Sequence, residues 1–200
     1  MMDLTEAGLI QLARNYYPSG FPVRTDDYSQ ELHPYQRTPE YARWRAAWTQ
    51  ALVWPEWKEL LRELRGPFGN SFADCTQPWG KACRRCCVYV ERPLPGGARW
   101  VIQVAAAASI LAPLYVTYCT TTRVEHRQHR DLHFSFEPLE EVREQTAQLA
   151  LLVEHVLGYQ PFPLQLANVK VPGIRVSHIG EREEATLLDA LFDDDLANLP

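Results

Sequence analysis

Two hundred residues, 46% of them hydrophobic and 11% aromatic, supply enough apolar side chain for one packed core and exclude a disordered chain. The net charge of −5 is uneven: residues 1–130 carry 16 Lys and Arg against 12 Asp and Glu, while residues 131–200 carry 4 against 13. That balance argues against a nucleic-acid binder, which needs a concentrated basic face, unless Arg84, Arg85, Arg123, Arg127 and Arg130 are gathered into one patch.

From residue 4 to residue 17, Leu4, Leu9, Ile10, Ala13 and Tyr17 recur at helical spacing, and Pro18-Ser-Gly20 stops the pattern. Residues 18–38 are rich in proline and polar side chains and read as a long loop. Thr38-Pro39-Glu40 is a strong helix start, with a threonine cap, a proline at the first position and an acid in the first turn. Tyr41, Trp44, Ala47, Trp48 and Ala51 mark one face of that helix. Pro55 kinks or restarts it, and Trp57, Leu60, Leu61 and Leu64 continue it to Gly66. Four tryptophans within fourteen positions at this spacing are expected in the core.

The period then changes. Residues 86–92 have strand composition, Pro93-Leu-Pro-Gly-Gly97 is a turn, and residues 100–104 return as a strand. Residues 114–124 and 132–137 alternate as strands, so a meander of about four antiparallel strands forms the centre of the fold. The stretch 100–119 is apolar enough to raise a membrane span, but Gln103, Ser109, Pro113 and Thr117 interrupt it, and buried strands account for it better. Residues 139–157 form a long helix, with Val142, Leu149, Leu152, Val153 and Val156 inward and Gly158 as its stop. Beyond it come an extended Tyr159-Gln-Pro-Phe-Pro163, short strands at 169–171 and 174–179, and a short helix at 184–192. The expected architecture is one α+β domain over 1–200, an antiparallel sheet of about four to six strands packed against N-terminal helices and the long helix. Its parts are a helical 1–66, a meander over 83–137, the helix 139–157 and a terminal segment 159–200.

Asp3 and Glu6 interrupt the opening residues, and no basic start precedes an apolar run there, so a cytosolic protein is expected. Five cysteines is then an odd number of thiols in a reducing compartment, and they are expected to be reduced. Cys83-x-x-Cys86 followed by His126-x-x-His129 could make a tetrahedral zinc site if the sheet brought the segments together. Buried structural cysteines are the plainer reading. A cysteine nucleophile with a histidine base is a further enzymatic alternative, but no hydrolase elbow, phosphate loop, dinucleotide fingerprint or zinc-protease helix is present. No catalytic residue and no cofactor is assigned.

The acidic end is the more suggestive feature. Glu181, Glu183, Glu184, Asp189, Asp193, Asp194 and Asp195 place seven carboxylates in fifteen positions, which would attract a basic protein surface. Of these, Glu181, Glu183, Glu184, Asp193, Asp194 and Asp195 are the candidate partner-binding residues.

Several phrases carry a resemblance: Tyr17-Pro-Ser-Gly-Phe-Pro22, Thr38-Pro-Glu-Tyr41 running into a Trp-rich helix, Ile110-Leu-Ala-Pro-Leu-Tyr-Val116, Phe136-Glu-Pro138, Asn168-Val-Lys-Val-Pro172 and Glu184-Ala-Thr-Leu-Leu-Asp-Ala-Leu-Phe192. Together, over most of the chain, they resemble bacterial immunity proteins associated with polymorphic or contact-delivered toxins. The resemblance implies a cytosolic protein that neutralises a cognate toxin by stoichiometric binding, with no membrane or nucleic-acid partner. It transfers no functional residues to this sequence. A non-enzymatic adaptor with a different protein partner is the remaining alternative.

Overall fold

The computed structural model describes residues 3–19, 33–76, 81–125, 128–174, 176 and 184–199. Helix α1, Glu6–Arg14, is capped by Thr5, whose hydroxyl accepts from the Gly8 amide, and it buries Leu9 and Ala13. Helix α2, Pro39–Leu52, starts where the sequence signal puts it, with the Thr38 hydroxyl accepting the Tyr41 amide at 3.3 Å. Pro55 restarts the chain as a separate helix α3, Pro55–Glu63, followed by the single turn α4, Arg65–Phe68. The tryptophan expectation holds for Trp57, which is 1% exposed. It fails for α2, which contains no fully buried residue, so Trp44 and Trp48 are half-covered on the flank of the molecule.

The sheet consists of β1, Phe72–Asp74; β2, Cys83–Pro93; β3, Arg99–Ser109; β4, Leu114–Glu125; β5, Gln128–Ser135; and β6, Gln160–Pro161. Strands β1 to β5 are antiparallel neighbours in chain order, and β6 lies parallel to the start of β4. The meander expected from the alternation is therefore present, starting earlier than its first strand signal and ending at Ser135, two residues short of its last. Sequence reading missed β1, which is three residues long, and the far half of β3, where Ala105, Ala106, Ala107 and Ala108 lack strand propensity but are carried by pairing on both sides.

Each face of this sheet is covered. On one lie Trp57 and Leu60 of α3, Leu64 just after it, and Leu149 and Val153 of the long helix α5, Arg143–Leu157, against Cys86, Val88, Ile102, Val104, Ala106 and Cys119. The Trp57 indole also donates to the Asp74 carboxylate at 3.2 Å and lies under the Arg84 guanidinium, 5.4 Å from the ring centre. On the other face, α1, residues 162–174, Val176 and residues 185–196, including the short helix α6, Leu187–Leu191, pack over Cys87, Ala105, Ala107, Leu114, Val116 and Tyr118. A three-layer α+β arrangement results. The alanines of β3 allow both layers to approach the middle strand closely. Gly158, at φ 67°, ends α5 in the left-handed conformation and turns the chain toward β6.

Two expectations about the terminal segment change. Val171 and Ile174 are fully buried, but the only pairing near them among the described residues is a bridge between Lys170 and Thr186. Residues 177–179 of the expected second strand lie outside the described residues. The last helix is shorter than 184–192 and is started by a capping box in which Thr186 and Asp189 satisfy each other's amides.

The thiols also differ from expectation. Cys75 and Cys87 form a disulfide across the β1–β2 edge, with Cα atoms 6.4 Å apart, while Cys83, Cys86 and Cys119 are free and buried. Composition could not foresee this, because the bond depends on β1, a strand too short to leave a sequence signal. By loop-closure entropy a bridge over this separation stabilises by about 3 kcal/mol. Reduction is expected to lower the urea-unfolding stability by about 2–3 kcal/mol, and a Cys75→Ala variant is expected to show no response to the same reductant.

Candidate functional site

Side chains alternate along β2, so Cys83, Arg85 and Cys87 face the α1–α6 layer, while Arg84, Cys86 and Val88 face α3 and α5. This parity decides the metal question. Cys83 and Cys86 project from opposite faces of the sheet and cannot share one ion. Cys83 pairs with Ser109, whereas His129 pairs with Val124, which in turn pairs with Arg99 at the other end of β3. Ten residues of strand separate the two ends, about 33 Å. Burial raises the Cys83 thiol well above its ordinary range, and the Asp193 carboxylate adds to this. Burial, with the Asp74 carboxylate second, pushes Cys86 up to about 12. Both thiols are thereby held protonated, the reverse of what a nucleophile requires. His126 lies outside the described residues, and among those described no group of three His, Cys, Asp or Glu side chains converges as a metal site. The zinc and cysteine-enzyme readings are not supported by this geometry.

The same parity disperses the arginines. Arg84 turns toward Asp74 and the Ala51 carbonyl, Arg85 points through the other face, and Arg123 pairs with Glu125. Arg127 lies outside the described residues. No shared basic patch forms among the arginines that are described.

The acidic tail is divided rather than presented as one surface. Asp193 is 2% exposed, and its carboxylate meets Lys81 at 2.5 Å and Arg85 at 3.4 Å. Asp194 meets the same lysine at 2.5 Å. Burial alone would lower the Lys81 ammonium, but the two carboxylates outweigh it and hold its pKa above the ordinary lysine value. Burial also raises Asp193, with Lys81 pulling the other way. Arg85, fully buried, donates through Nη1 to the Asp195 carbonyl at 3.2 Å. Its Nε and Nη2 make no hydrogen bond among the described residues. Asp193 and Asp194 thus tie the chain end to β2 and are withdrawn from any partner; Asp195 and Glu184 remain exposed. Glu181 and Glu183 lie outside the described residues.

What this tether builds is an open cleft of about 610 Å³ between the outer part of the sheet and residues 195–199. Its floor is polar and buried: Gln103, 8% exposed, accepts the Thr120 hydroxyl at 2.8 Å, and the Thr122 hydroxyl donates to the Arg130 carbonyl at 3.0 Å. One wall is β5, with Arg130, Asp131 and Leu132; the other is Asp195, Ala197, Asn198 and Leu199. A bulge opposite Thr122 sets this wall, since β5 places two residues, Asp131 and Leu132, where β4 has one. Asp131 takes up the extra length at φ 54°, a conformation aspartate tolerates better than most side chains. Beside the cleft, Leu132 is 57% and Phe134 38% exposed, with Phe134 against Tyr118 and Phe136. No strand pairs with the outer edge of β5 among the described residues.

Sequence reading missed this site. Leu132 and Phe134 alternate as an ordinary half-buried strand would, and they are exposed because the layer over this face does not cover them at the β5 edge among the described residues. No family model, no curated protein and no solved structure matches the chain.

Breaking the tether leaves buried charge uncompensated. Asp193→Ala is expected to lower stability by about 3–5 kcal/mol in urea unfolding, whereas Asp195→Ala is expected to change it by less than about 0.5 kcal/mol. Because Cys86 loses its proton near 9 when unfolded and about 12 when folded, its contribution is complete below pH 9 and is lost as pH rises toward 12. The unfolding free energy should fall on going from pH 9 to pH 11, and Cys86→Ala should make that fall shallower by up to about 1.4 kcal/mol per pH unit.

Proposed function

We propose that this protein is an immunity protein that neutralises a cognate toxin by binding it stoichiometrically, and that the β5 edge with its adjoining cleft is the docking surface. The observation that carries the reading is the exposed Leu132 and Phe134 on an unpaired sheet edge beside an open cleft. Apolar side chains on an open strand edge are a liability for a protein that works alone, and a bound protein that covers them removes it. The sequence resemblance supplies the class of partner. The acidic terminal segment contributes through Asp195 at the cleft, while Asp193 and Asp194 hold that segment in place. A cytosolic setting belongs to the same proposal and requires that the Cys75–Cys87 bond persist in a reducing compartment; the described residues contain no helix long and apolar enough to cross a membrane.

The experiment is co-purification of the untagged protein with the tagged product of the gene immediately upstream, combined with rescue of cells expressing that product. A one-to-one complex with rescue is expected, and Leu132→Asp is expected to weaken the complex at least tenfold, the loss of one buried apolar anchor. A complex without rescue would mean an adaptor rather than an immunity role. Neither complex nor rescue would overturn the reading.

A further inference from the structure

The cleft beside β5 has a charge character of its own. Three charged residues line it, Arg130, Asp131 and Asp195, so its walls carry a net charge of −1. Arg130 is directed along its own strand, with Nη2 donating to the Gln128 side-chain oxygen at 3.1 Å. Neither Asp131 nor Asp195 forms a salt bridge among the described residues, whereas Asp193, Asp194, Asp74 and Glu91 do. The two stand on opposite walls, one on the β5 bulge and one on the tethered tail. Between them the floor offers the Gln103 and Thr122 side chains, and Leu132 and Leu199 add apolar surface.

We infer that this cleft receives a basic side chain, an arginine of the bound protein, between Asp131 and Asp195. A guanidinium is planar, offers five donors and suits two carboxylates approached from opposite sides. Its methylene stem would lie along Leu132 and Leu199. The inference rests on the proposed docking role and narrows it, because it assigns the cleft a recognised chemical group while Leu132 and Phe134 supply apolar contact. The tail contributes one carboxylate here, through Asp195, in place of the whole acidic run.

The test uses the full chain and a small probe in place of the toxin. Blocked arginine, acetylated and amidated, is titrated at low salt while the side-chain amides of Gln103 and Asn198 are followed by NMR; blocked citrulline, the neutral isostere, is the control. Arginine is expected to bind at least fivefold more tightly than citrulline, with shifts centred on those two amides. The preference should fall to about one in the Asp131→Asn, Asp195→Asn double variant. Asparagine is as tolerant of the left-handed backbone at position 131 as aspartate, so the variant preserves the bulge. Equal binding of citrulline, an undiminished preference in the variant, or shifts confined to another surface would each overturn the inference. These outcomes are separate from failure of the docking reading: a complex lost in Leu132→Asp together with no arginine preference leaves docking intact and removes only the arginine.

Discussion

The buried pairing of Lys81 and Arg85 with Asp193 and Asp194 is the interaction on which the arrangement of the chain end depends. Lys81 lies two residues before β2 and Arg85 near its start, and the aspartates come from the residues just after α6. The Ala82 amide, which donates to the Phe192 carbonyl at 3.1 Å, adds a backbone link between the same two segments. Charges this deep are costly to desolvate, and their mutual attraction offsets that cost only while both signs are present. The result is positional: Leu196 is seated in the core, and the residues on either side of it are carried out along the sheet to form a wall.

From that wall the cleft follows. Without it, Gln103 and Thr122 would form part of an open, rather polar patch at the rim of the sheet. With it, they become the floor of a bounded space whose other side is set by the β5 bulge. Two features that look unrelated in sequence, a run of aspartates and an extra residue in a strand, therefore act on the same space. The exposed Leu132 and Phe134 lie at its margin, which is why apolar contact and charge recognition fall on one side of the molecule.

The α+β class, the meander, α2 with its cap, and the long helix ending at Gly158 were legible in the sequence because each is specified locally. Alternation announces the strands, and Thr38-Pro39-Glu40 announces the helix. What was not legible depends on placement between distant segments. Cys75 gains a disulfide partner only when β1 pairs with β2. Cys83 and Cys86 look like a chelating pair by spacing and are separated by the pleat of a strand, since an interval of three reverses the face. Asp193 and Asp194 read as surface acids, because nothing near them in sequence shows that Lys81 and Arg85 lie opposite. The cleft is the extreme case, built from residues of three strands and the terminal segment.

The four consecutive alanines of β3 have a consequence for how this sequence can drift over evolutionary time. Because successive residues face opposite layers, enlarging any one of them presses on either the α3–α5 side or the α1–α6 side, and two adjacent enlargements press on both. Compensation by shrinking a neighbour is limited, since the partners across the strand include Tyr118 and Arg85, and the position of Arg85 serves the terminal tether. Related sequences should accordingly hold small residues at 105–108 while varying freely along α2, where no side chain is fully enclosed. The middle of the sheet should thus tolerate the least change, for reasons of volume rather than chemistry.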